Sequence, residues 1–131
     1  MNPTRKVLIV ATPGNLQAGL QILLAKLPDL ETLVVADTRS AMGAISGQKP
    51  ALVIVDCDVA PGRCADLLQH LKGFSSGLRC LALVSRVDDL ATVTKSGADI
   101  ALMKGIPAKN LLATVEALLV SGETHTLHSS A

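Results

Sequence analysis

Five short runs of mostly Val, Ile, Leu and Ala punctuate the chain: Val7–Ala11, Leu33–Ala36, Ala51–Val55, Cys80–Val84 and Ile100–Met103. None of them alternates apolar with polar residues. A strand with one wet face alternates, so these runs predict strands covered on both faces. The stretches between them have helical periodicity. Leu16, Leu20, Leu23, Leu24 and Leu27 fall on one stripe that Pro28 ends. A second segment opens at Thr38, a candidate N-cap, and passes through Met42 and Ile45 to Gly47. The third sets Cys64, Leu67, Leu68 and Leu71 on one face before Gly73, and the fourth runs from Asp88-Asp89 to Gly97. In the fifth, Pro107 stands in the first turn, Leu111, Leu112, Val115, Leu118 and Leu119 form a stripe, and Gly122 lies just beyond. Five βα units in strict alternation predict an α/β three-layer sandwich around a five-stranded parallel sheet, because parallel strands need crossover helices on the faces.

The chain has 131 residues, enough for one domain with a core, assigned to 1–121, with 122–131 as a polar tail or linker. That core must be aliphatic: Phe74 is the sole aromatic residue. Stacking platforms for single-stranded nucleic acid therefore cannot be built, and a formal net charge of +1 gives no pull on a polyanion, so direct nucleic-acid binding is not expected. No stretch approaches the ~18 uninterrupted apolar residues of a membrane span, and Thr12-Pro13-Gly14 cuts short the run that could mimic a secretory signal. Cys57, Cys64 and Cys80 are odd in number and lack CxxC spacing, which argues against a disulfide framework and a zinc cluster. A reducing cytoplasm is the expected compartment.

In an open parallel sheet, ligands bind at the carboxyl ends of the strands. Those ends carry Ala11 and Thr12, Asp56, Ser85, and Lys104. Nucleotide chemistry does not fit. Gly14-Asn15-Leu16-Gln17-Ala18-Gly19 has the glycine spacing of a phosphate loop, yet Leu20-Gln21 stand where Lys and Ser/Thr are required, and no dinucleotide fingerprint or flavin loop is visible. Asp56, Ser85 and Lys104 together suit a different task. A carboxylate attacking a phosphoryl group forms an acyl phosphate, which needs a cation near the transferred oxygens and a hydroxyl to bond the product.

At this point the chain resembles the receiver domain of bacterial two-component response regulators over residues 5–121. The carriers are Lys49-Pro50-Ala51-Leu52-Val53-Ile54-Val55-Asp56 and Ser96-Gly97-Ala98-Asp99-Ile100-Ala101-Leu102-Met103-Lys104. The resemblance implies a flavodoxin-like strand order 2-1-3-4-5. It also implies Asp56 as phospho-acceptor, Ser85 as switch hydroxyl and Lys104 as the phosphoryl-contacting cation. A histidine kinase or phosphotransfer protein would be the donor, and an output domain or protein partner the target. A homodimer through the fourth helix, fifth strand and fifth helix is a further implication.

Several positions depart from that pattern. Ala11-Thr12 stand where the family has two acidic residues that hold Mg²⁺, so the metal site would rest on Asp56 and Asp58 alone. Asp58 reads otherwise as a turn residue before Pro61-Gly62. Ala101 occupies the switch-aromatic position, and Lys104 is followed by Gly105 rather than proline. His70 reads as a helix residue, and His125 and His128 are two ligands short of a metal site. Two readings of function stay open, a phosphorylated receiver and a phosphorylation-independent pseudo-receiver that acts as an interaction module. A small flavodoxin-like enzyme is disfavoured, since no cofactor loop or general-base pair is present.

Overall fold

The structure, a computed structural model, describes the backbone of residues 5–75 and 77–129 and side chains as far as residue 120. Strands β1 (Arg5–Val10), β2 (Leu30–Val35), β3 (Leu52–Asp56), β4 (Arg79–Val84) and β5 (Ile100–Met103) form one parallel sheet in the order β2-β1-β3-β4-β5. Helices α1 (Asn15–Leu24), α2 (Thr38–Gln48), α3 (Cys64–Phe74), α4 (Asp88–Lys95) and α5 (Ala108–Ser129) connect and follow them. Among the described residues, no helix is long and apolar enough to cross a membrane.

Alternate residues of the central strands feed two cores. Leu8 and Val10, Val53 and Val55, and Cys80, Ala82 and Val84 pack with α2, α3 and α4. Val7 and Ile9, Leu52 and Ile54, and Leu81 and Leu83 pack with α1 and α5. This two-sided burial is why these strands do not alternate in sequence. The edge strands differ from expectation: β2 and β5 are only half-buried, since each has a single neighbouring strand. Phe74, at the end of α3, lies largely in solvent.

Three local expectations are corrected. The cap of α2 is Asp37, whose carboxylate accepts from the Ser40 amide at 2.7 Å, and Thr38 becomes the first helical residue. Helix α5 passes through Gly122 to Ser129, because an interior glycine costs a helix only about 1 kcal/mol and does not forbid it; the side chains of His125 and His128 lie outside the described residues. Most consequentially, Cys57 and Cys64 are joined in a disulfide, leaving Cys80 free. Their spacing follows no motif, but the 3₁₀ turn Cys57–Val59 and the turn at Pro61-Gly62 fold the chain back. The first residue of α3 thereby comes to lie 5.2 Å, Cα to Cα, from the residue after β3. Gly62, with φ of 72°, supplies the left-handed backbone that this reversal requires.

Candidate functional site

The carboxyl end of the sheet gathers the residues that the sequence places apart. Asp56 ends β3, is 7% exposed and is the buried charged side chain among the described residues. Lys104 follows β5, and its amide extends the ladder by donating to the Val84 carbonyl at 2.8 Å, which sets it beside Ser85. From there the Lys104 ammonium reaches Asp56 Oδ1 at 2.6 Å and Asp58 Oδ2 at 2.5 Å. Ser85 Oγ donates to the same Asp58 oxygen at 2.7 Å, and the Asp58 amide donates to Asp56 Oδ1 at 3.0 Å. Asp56, Asp58, Ser85 and Lys104 thus form one closed network.

Asp58 is the member that sequence reasoning undervalued. Its side chain is 57% exposed yet carries two of the network's contacts, and the turn reading captured only its backbone. The hydrogen bond from Lys104, and then that from Ser85, hold its carboxyl below the usual aspartate value. Burial works against the charge on Lys104, but hydrogen bonds and attraction from Asp56 and Asp58 outweigh it and push the ammonium up.

The end of β1 supplies no charge to this network. Ala11 is buried, Thr12 is exposed, and the Ala11 carbonyl accepts a 2.8 Å hydrogen bond from Gln17 Nε2 of α1. Gln17 sits in the first turns of α1 between Leu16 and Leu20, and no sequence signal singled it out. Ala101 packs against the core on the α4 side of β5, where its methyl can report no rotamer change.

Asp56 and Asp58 are the two carboxylates this site could offer Mg²⁺. That ion demands near-octahedral oxygen ligands and usually a carboxylate or two with open positions for water. Here both carboxylates are bridged by one ammonium, and among the described residues no group of three or more His, Cys, Asp or Glu surrounds a common point. The pair Asp56 and Asp58, expected as the remnant of a metal site, shares the Lys104 ammonium. His70 is exposed on α3, with its Nδ1 2.8 Å from the Asp66 carbonyl of its own helix.

No protein-family model matches the chain, and no curated protein does. Solved structures do match. A CheY-like response regulator receiver domain from Methanospirillum hungatei is 17% identical with a TM-score of 0.82, covering 92% of this chain and 98% of that one. The signal receiver domain of a DNA-binding response regulator from Colwellia psychrerythraea is 16% identical with a TM-score of 0.78, covering 88% and 98%. NtrX from Brucella abortus is 20% identical with a TM-score of 0.84; the match covers 95% of this chain and 28% of that longer one. The fold is therefore that of a response regulator receiver domain, a flavodoxin-like sandwich with strand order 2-1-3-4-5.

Proposed function

We propose that this domain works in response-regulator signalling as a phosphorylation-independent pseudo-receiver, a protein-interaction module rather than an enzyme, in the cytoplasm. The observation that carries this reading is the Lys104 ammonium bridging Asp56 and Asp58, with Ala11 and Thr12 in place of acidic residues. Two carboxylates already face one cation. Turning Asp56 into an acyl phosphate would exchange one negative charge for about two, next to Asp58, with only Lys104 to offset them. The resting network also occupies the hydroxyl and the ammonium that a phosphoryl group would need. On this reading the partner binds the unmodified domain. The face made by α4, β5 and α5 is the surface through which a partner or a second copy would dock.

One observation favours the second reading, in which Asp56 accepts a phosphoryl group from a histidine kinase or phosphotransfer protein. Asp56, Ser85 and Lys104 do converge at the strand ends, the arrangement that acyl-phosphate chemistry uses. Intact-mass spectrometry after incubation with acetyl phosphate and Mg²⁺ decides between them. The pseudo-receiver shows no phosphate-sized gain under conditions that modify a control receiver fully. A gain that disappears in Asp56→Asn overturns that reading and makes Asp56 the acceptor.

A further inference from the structure

The segment from Cys57 to Cys64 is the main-chain connection from Asp56 to α3, and it carries Asp58. Its internal hydrogen bonds are short-range, Ala60 N–H to the Cys57 carbonyl and Arg63 N–H to the Ala60 carbonyl. The disulfide ties the two ends of this segment together, directly beside the network of Asp56, Asp58, Ser85 and Lys104. Both cysteines are nearly buried in the fold, at 8% and 7% exposure, yet both line a cavity of about 280 Å³. Asp58, Gly62, Ser85 and Arg86, all exposed, share that cavity, so it opens to solvent on the side of the site.

We propose that the Cys57–Cys64 disulfide is a dithiol-responsive clasp: closed, it holds Asp58 in its bridge to Lys104 and Ser85, and opened by a small dithiol or a dithiol protein it releases Asp58 and unmasks Asp56 and Lys104. The proposal deepens the reading of the site given above and rests on it only in taking this pocket as the regulated element. Exchange begins when a thiolate of the dithiol attacks Cys57 Sγ and Cys64 leaves as thiolate. The direction follows from position, because Cys64 is the first residue of α3 and a helix N-terminus stabilises a thiolate there. The second thiol of the reductant, as thiolate, then attacks its own sulfur in the mixed disulfide and expels Cys57 as thiolate. Both cysteines finish protonated with the two protons the dithiol gave up, and the dithiol finishes as its own disulfide. No internal thiol competes. Cys80 is fully buried in β4, and burial pushes its thiol up to about 11, so little thiolate forms there.

The test uses the full chain purified without reductant. Denaturing alkylation before and after dithiothreitol counts the thiols, with one expected before, Cys80, and three after. On the folded protein, amide exchange at Asp58 and acylation of the Lys104 amine by N-hydroxysuccinimidyl acetate are then followed in both states. Reduction is expected to raise Asp58 exchange on the order of tenfold and to speed Lys104 acylation, while the amides of β1 stay protected. The double variant Cys57→Ser, Cys64→Ser should show the fast rates with or without reductant. Where that variant does not fold, reduced wild type makes the same comparison without any substitution. Three alkylations before reductant overturn the clasp, as do unchanged rates after reduction. Simultaneous loss of protection in β1 overturns it too, by making the bond a staple of the whole fold. Acetyl-phosphate labelling reports on the pseudo-receiver reading and these rates on the clasp, so either fails without the other.

Discussion

Each end of the sheet holds a carboxylate gripped by lysine, and the two clusters are built on opposite balances. At the amino end of β4 and β5, Asp99 receives the Cys80 amide at 2.7 Å, Lys72 Nζ at 3.2 Å and Arg79 at 3.5 Å. Lys72 also donates to the Leu78 carbonyl at 2.6 Å. One anion there meets two cations and a backbone donor, and every contact ties one element to another. At the carboxyl end two anions share one cation, one ending β3 and the other two residues on in the turn that follows it. A surplus of donors locks a structure, whereas a surplus of like charge leaves a site with something still to bind or release.

The largest effect that should separate the two is the loss of a carboxylate from each. Asp99→Ala strands two partly buried cations and one amide, and should lower stability in urea unfolding by about 3 kcal/mol. Asp56→Ala relieves the crowding of like charges and leaves Lys104 paired with Asp58, so it should change stability by less than about 1 kcal/mol in either direction. Equal losses would mean that both clusters are structural. Next in size, Gly97→Ala should cost about 2 kcal/mol by the same measurement. Its φ of 129° disfavours any Cβ, and the added methyl would lie 2.8 Å from Lys72 Cγ, pressing on the side chain that holds Asp99. A neutral result would show that Lys72 is free to move and that the lock is looser than drawn.

The smallest effect lies in pH dependence. Asp58 titrates below its unfolded value of 3.8, so the stability it contributes is fully present above that value and is lost as pH falls through the folded one. Lys104 is raised above 10.5, so its contribution is present below that value and is lost as pH rises through the folded one. Asp58→Asn should therefore flatten the acid limb of a stability profile, leaving the part due to Asp37, which its own cap hydrogen bond from the Ser40 amide also lowers. An acid limb identical to wild type would mean that the Lys104 bridge contributes nothing in solution.

What could be read in advance depended on how far each signal reaches along the chain. β5 has the bounds expected of it, Ile100–Met103, because a glycine turn and a lysine flank four apolar residues and all of that information is local. Asp56, Ser85 and Lys104 were recognisable as strand-end residues, since parallel topology alone brings such ends together. Asp58 was legible only as a turn residue or a metal carboxylate, and the cysteine pair not at all, because their partners depend on a loop that doubles back, and a spacing of seven residues carries no periodic signal. Asp99 stands in the glycine turn before β5, but its grip on Lys72 crosses 27 positions and had no mark in composition or pattern.

The aliphatic core has an optical consequence. With no tryptophan or tyrosine anywhere and Phe74 out in solvent, the folded interior absorbs near 280 nm only through the weak band of its disulfide and does not fluoresce on excitation there. The protein is dark against its surroundings. Any tryptophan emission in a complex with this domain arises wholly from the partner, so a binding titration reports the partner's change of environment without a background to subtract.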